Sequence, residues 1–251
     1  LVVPSLSWHA CRGASSSSAA MFRRSEIPAA EVHDTLRRHM LVDGYPIVVD
    51  LEASLGSHVR DLSSGRVFLD FFSFFATNPI GMNHPSMLDD ETQRRLARAS
   101  TVKVSNADYY SVFMAEFVDT LARSAAPKEL PHYFFVDTGT LAVENGMKVA
   151  FDWKVRKSLA AGRGEKGQQI LHLENAFHGR SGYALSVTNT DPAKILHFPK
   201  LDWPRIPCPA IRFPLDAAEE VRLAQVEARA IEAAERAFRE RAGDIAAILV
   251  E

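Results

Sequence analysis

The pattern of apolar and polar positions changes character along the chain. Val32, Leu36 and Met40 recur every four residues after Pro28, which predicts a helix over 28–41 with proline in its first turn. Asp43-Gly44 ends it. Short alternating runs follow at 47–51, 58–62 and 67–71, and Ser63-Ser64-Gly65 between the last two predicts a hairpin. After Gly81-Met82-Asn83-His84-Pro85 the grammar becomes helix alternating with strand. Helices are expected at 85–99 and 109–123, and a short buried strand at Tyr133–Val136. A helix over 139–159 carries Val143, Met147, Phe151, Val155 and Leu159 in one i+4 row. Its polar face offers Glu144 with Lys148 and Asp152 with Arg156. A strand at 169–173 comes next. The helix at 216–241 opens with Asp216 and Glu219 at capping-box spacing and has an apolar stripe of Ala224, Ala228, Ile231, Ala234 and Phe238. The last strand covers 245–250. Strands alternating with helices imply an α/β fold, a mostly parallel sheet with helices on both faces.

Composition narrows the classes. With 47% apolar and 24% charged residues, the 251-residue chain reads as globular. A formal net charge of −2 gives no reason to expect a nucleic-acid partner. No apolar run is long enough to span a bilayer; Val67–Ala76 is the richest, and it contains Asp70. Two cysteines rule out a disulfide framework, and neither they nor the histidines have metal-site spacing, so no metal is expected. Residues 1–25 carry Arg12, Arg23 and Arg24, no acid and the run Ser15–Ser18, which reads as a disordered or organelle-targeting leader with Met21 as a second possible start. Without such targeting the location expected is cytoplasmic.

Two familiar motifs fail on context. Gly162-Arg-Gly164-Glu-Lys-Gly167 matches GxGxxG, but it follows a helix and precedes a strand, the reverse of a dinucleotide site. It reads as a flexible loop. Gly179-Arg-Ser181-Gly182 is not a nucleophile elbow, because the serine lacks its flanking glycines.

Three features point to ligand chemistry. At Asp137-Thr138-Gly139-Thr140 a helix begins on a tight turn. Free N–H groups and the helix dipole there suit a phosphate, although a plain helix cap has the same composition. Phe177-His178-Gly179-Arg180 follows the strand at 169–173, at the carboxyl edge where open α/β sheets bind ligands. An aromatic ring and a guanidinium there suit a flat ring and a carboxylate, and equally a packed loop with a surface arginine. Glu251 stands at the end of another strand, pointing to the same edge.

These segments resemble the class III aminotransferases of pyridoxal-phosphate fold type I. The resemblance rests on Met40–Gly44, Gly81–Pro85, Phe135–Asn145, Ala150–Lys154, Ala176–Gly182, Thr188–Thr190 and Phe198–Ile206, and runs from about Val32 to Glu251. The Phe-His-Gly-Arg-Ser-Gly and Asp-Trp-Pro-Arg pieces point to the branch acting on the ε-amine of L-lysine. The resemblance implies that Gly139 and Thr140 hold the cofactor phosphate. Phe177 stacks on the pyridine ring with His178 beside it, Arg180 pairs with the substrate α-carboxylate, and Glu251 contacts the cofactor. It implies transfer of the ε-amino group of lysine to 2-oxoglutarate, giving 2-aminoadipate 6-semialdehyde and glutamate, in a homodimer. The alternatives are a sibling acting on ornithine or 4-aminobutyrate, and a non-catalytic remnant. The family takes its Schiff-base lysine and the acid at the pyridine nitrogen from beyond the position matching Glu251. No lysine of this chain has a matching role, so the expectation is an N-terminal part, inactive alone. It divides into the leader, a small-domain segment at 26–82 and the first half of the cofactor domain at 83–251.

Overall fold

The computed structural model describes residues 27–102, 104–105 and 107–251, and the expected leader lies outside them. The chain divides into two compact units, one up to Ala125 and one from Ala126 to Glu251.

The first unit opens with a 3-10 turn at Ala29–Glu31 and helix α1 (Val32–Arg37). The helix stops short of the expected Leu41. It has no buried residue, and Leu36 and Met40 face solvent, so no packing supports further turns. Strands β1 (His58–Arg60) and β2 (Val67–Leu69) form the expected antiparallel hairpin. The run at 47–51 contributes one isolated bridge, Val49 with Asp61, rather than a strand. The Asp61 carboxylate holds this corner, accepting from the N–H groups of Val48, Ser63 and Ser64 and from the Ser64 hydroxyl. The helix expected at 85–99 is two, α2 (Pro85–Leu88) and α3 (Asp90–Thr101). Asp89 between them is extended, and its carboxylate caps α3 by accepting from Glu91 and Thr92. Helix α4 (Val112–Ser124) begins at its cap Ser111, two residues later than expected.

The second unit is built on a parallel sheet of strand order β4-β3-β5, with β3 (Gln169–Leu173) in the centre, β4 (Arg205–Ile206) on one side and β5 (Ile245–Leu249) on the other. Alternation along β3 splits the core in two. Ile170 packs with Met147 and Phe151 of α5 (Gly139–Ala160), with Val187 of α6 (Gly182–Val187) and with Trp203. Leu171 packs on the other face with Ala234 and Ala237 of α7 (Ala217–Glu240). Helices therefore cover both faces, as the pattern predicts. Phe151, Tyr183 and Trp203 meet with ring centroids 5.6 to 6.0 Å apart, so the tryptophan of the Asp-Trp-Pro-Arg segment is a core residue.

Three expectations in this unit are corrected. Residues 133–136 are not a buried strand: they pair with no ladder among the described residues, and Phe134 and Phe135 are exposed. A run of aromatics becomes a strand only where a neighbour takes up its backbone groups. On α7 the buried apolar positions are Val226, Ala230 and Ala237, rotated from the expected stripe, with Ile231 and Phe238 left in solvent. Glu144 forms no ion pair with Lys148 among the described residues; it turns to Ser181 instead. The Asp152–Arg156 pair forms as expected.

The GxGxxG segment is the expected loop between α5 and β3. Its three glycines all have positive φ, and Asp244 ties it to the start of β5, accepting from Gly167 and Gln168 N–H at 2.8 and 3.1 Å.

Candidate active site

The carboxyl end of β3 runs straight into the loop 174–181, and the amino end of α5 lies against that loop. Gly179 records the approach: at φ +121°, a Cβ built on it would stand 2.3 Å from the Thr140 hydroxyl oxygen. Gly182 likewise leaves no room beside the Glu144 carboxylate, whose Oε1 accepts from the Ser181 hydroxyl at 3.0 Å. Two motifs separated by some forty positions thus form one wall.

The α5 terminus has the features of an anion site. Its cap, Thr138, has φ +68°, a conformation costly for a β-branched residue, and accepts from Leu141 N–H at a long 3.5 Å. Among the described residues the N–H groups of Gly139 and Thr140 have no acceptor. The space before Gly139 is open, since a Cβ there would meet nothing within 4 Å.

The loop is held from below. Phe177 N–H donates to Glu251 Oε2 at 2.6 Å, His178 N–H to the Thr188 hydroxyl at 2.9 Å, and that hydroxyl in turn to Gly179 carbonyl at 2.6 Å. Asn189 N–H closes the ring on Ala176 carbonyl. The result fixes the Phe177 backbone while the residue stays 48% exposed. Glu251 reaches the loop across the sheet edge, and one of its oxygens holds the Phe177 backbone.

His178 is buried, and its Nε2 has no partner among the described residues. Burial pushes its pKa down, more than the nearby Glu251 carboxylate pulls it up, so the ring is neutral at neutral pH. His172 on β3 is fully buried; burial takes its pKa down to about 4, with Leu173 carbonyl, 3.1 Å from Nδ1, acting in the other direction.

Arg180 lines a small cleft of about 250 Å³ together with Phe177, Thr188 and Thr190. Among the described residues it has no ion-pair partner. The fold thus brings Gly139, Thr140, Phe177, His178, Arg180 and Glu251 to one sheet edge. Thr188 and Glu144 are supporting residues that sequence reasoning did not assign to the site; it paired Glu144 with Lys148. Thr188 stands in the Thr188–Thr190 segment, but nothing in its spacing signals a hydroxyl that bonds two loop residues.

Comparison with known proteins gives the family. The family model described as Aminotransferase class-III matches residues 40–251. The L-lysine-epsilon aminotransferase of Amycolatopsis lactamdurans is 50% identical over 224 residues, 89% of this chain and 50% of that protein. The enzyme of the same name from Mycobacterium tuberculosis H37Rv is 50% identical over 222 residues, 88% of this chain and 49% of its own length. The solved lysine aminotransferase from M. tuberculosis superposes with a TM-score of 0.83 at 48% identity, over 90% of this chain and 52% of that one. The chain spans about half the length of the relatives it matches. The matched segment covers both units' motifs, from Met40–Gly44 to Glu251, and on that evidence the chain belongs to the class III aminotransferases.

Proposed function

We propose that this chain carries the phosphate, ring and carboxylate contacts of a pyridoxal-phosphate-dependent aminotransferase that moves the ε-amino group of L-lysine to 2-oxoglutarate, in a homodimer. Class III aminotransferases depend on pyridoxal phosphate. The residues here fit that group. Two unaccepted N–H groups, an open approach and the positive end of α5 suit its phosphate. The exposed Phe177 ring, its backbone fixed on both sides, suits a flat heterocycle.

The bound cofactor supplies an electron sink for the amino-transfer chemistry. The chain's own residues bind and orient. Gly139 and Thr140 receive the phosphate, the Thr140 hydroxyl adding a donor. Phe177 covers one ring face. Neutral His178 adds no second positive charge near Arg180, and its Nε2, without a partner among the described residues, is left to make a hydrogen bond to the ligand. Arg180, a planar fork without an internal partner, grips the α-carboxylate. Held by that end, lysine extends its ε-amine away from Arg180 toward the ring, which is why the terminal amine reacts.

The observation carrying this reading is Arg180 in the cleft beside Phe177. The relatives agree in direction: a probable 4-aminobutyrate aminotransferase from Caenorhabditis elegans is 31% identical, against 50% for the lysine enzymes. The test is glutamate formation from 2-oxoglutarate by the full-length protein that carries this segment, with pyridoxal phosphate, using L-lysine, L-ornithine and 4-aminobutyrate as donors. Lysine should lead. Preference for 4-aminobutyrate, which has no α-amine, or no turnover of any donor, would overturn it. Among the described residues no helix is long and apolar enough to cross a membrane.

A further inference from the structure

The cleft beside Phe177 holds charges of both signs. Arg180 and Lys194 line it, and so does Asp191. Its volume, about 250 Å³, is below the range of about 300–1,000 Å³ typical of sites for drug-sized ligands and suits the head group of an amino acid.

Asp191 is positioned but not used up. Its Oδ1 accepts from Ala193 N–H at 3.1 Å, capping the 3-10 turn Pro192–Lys194. Its Oδ2 stands 3.6 Å from Lys194 Nζ, with both side chains about half exposed. A loose, exposed pair of this kind contributes little, and a carboxylate oxygen has lone pairs for a second donor. Arg180, on the same cleft, has no carboxylate partner among the described residues. A free cation and an underused anion on one small cleft match the two charges of an α-amino acid head.

We infer that Asp191 is a specificity-determining residue that accepts the α-ammonium of the donor while Arg180 grips its α-carboxylate. The inference rests on the role of Arg180 proposed above. It has a consequence for regiochemistry. With the α-ammonium tied to Asp191, a diamino acid has only its distal amine free to react, and an ω-amino acid without an α-amine loses one of the two anchors.

The test compares L-lysine, 6-aminohexanoate (no α-amine) and cadaverine (no α-carboxylate). Binding is measured by calorimetry with pyridoxal phosphate added, and turnover in parallel, both on the full-length protein that carries this segment. Asp191→Asn removes the charge and keeps the acceptor for Ala193 N–H, so the turn stays capped. The wild-type protein should bind lysine about 3- to 10-fold tighter than 6-aminohexanoate. Asp191→Asn should bring that ratio near one by weakening lysine alone. Lys194→Ala, which frees the carboxylate, should raise it. An unchanged ratio in Asp191→Asn, equal weakening of both ligands, or no lysine binding by the wild type overturns the inference. Asp191-dependent lysine binding without turnover would instead sink the aminotransferase reading and leave the inference standing. Lysine turnover with an unchanged ratio would do the reverse.

Discussion

The unit up to Ala125 and the unit from Ala126 use the same kinds of patterned segments and reach opposite kinds of interior. In the first, the described residues buried are Ser54, Val59 and Asp61, and none of its helices buries a residue. In the second, a parallel sheet is sandwiched between α5 and α7, with Ile170 and Leu171 almost wholly inaccessible. The first unit is held by polar groups at corners: Asp61 in its web of four hydrogen bonds, and Asn83 Nδ2 donating to the carbonyls of Leu51 and Ser54. The contrast teaches that amphipathic pattern is sufficient for a helix and insufficient for a core. A helix buries its stripe only if another element brings a matching face to it.

The sharpest way to break this comparison is to truncate a large apolar side chain in each unit. Leu171→Ala should cost about 3–4 kcal/mol, since the side chain is fully buried between β3 and α7, whereas Phe71→Ala, 90% exposed, should cost under about 0.5 kcal/mol. Urea unfolding followed by far-UV circular dichroism reads both units, and tryptophan fluorescence reads the second, where Trp203 lies in the core. Equal losses would mean that the first unit also has a core.

Acid provides the next test. His172 has a folded pKa of about 4, set first by burial, against about 6.5 unfolded. A folded pKa below the unfolded one means that the unfolded chain binds the proton first. Stability contributed by the neutral ring is therefore whole above about pH 6.5 and declines as pH falls toward 4, by at most about 3 kcal/mol. Asp61 in the first unit is also lowered, chiefly by the Ser64 hydroxyl and against a smaller effect of burial, so its contribution is lost only below the ordinary carboxylate range. Urea midpoints between pH 7 and 4.5 should thus fall in wild type, and by less in His172→Gln.

Two glycines separate folding from binding within the second unit. Gly179→Ala places a methyl group against Thr140 at an unfavourable φ and should destabilise by about 2 kcal/mol or more. Gly139→Ala meets open space and should leave the urea midpoint nearly unchanged, while weakening pyridoxal-phosphate binding, read by absorbance titration. If Gly139→Ala leaves pyridoxal-phosphate binding unchanged, the open approach is not a phosphate site. The smallest effect belongs to Asp152→Ala, which breaks an exposed i,i+4 pair with Arg156 and should cost under about 0.5 kcal/mol.

Much of this was legible from residues alone. The hairpin, α5, the central strand at 169–173 and the parallel character of the sheet follow from period and turn chemistry; the bounds of β3 agree with those observed, while the hairpin strands are two residues shorter at their ends than expected. The candidate site residues were also readable, because a strand that ends in a glycine-bearing turn aims its next residues at the sheet edge. The failures share one cause. Tyr133–Val136 has strand composition without a ladder, and α7 buries alanines instead of Ile231 and Phe238. In each case the outcome depended on which neighbour was present, and local pattern does not encode that.

The amino-acid sequence by itself determined where helices begin, which turns need glycine, and which residue types could meet a phosphate, a ring and a carboxylate. These depend on contacts within a few positions. Tertiary structure alone decided that Gly179 lies on Thr140, that Glu251 holds the Phe177 backbone, that Thr188 bridges His178 and Gly179, and that Asp191 shares a cleft with Arg180. Those contacts join residues 9 to 74 positions apart where hydrogen bonds are concerned, and no periodicity reaches across such separations. They form because the parallel sheet brings the ends of β3 and β5 to one edge, beside the amino end of α5.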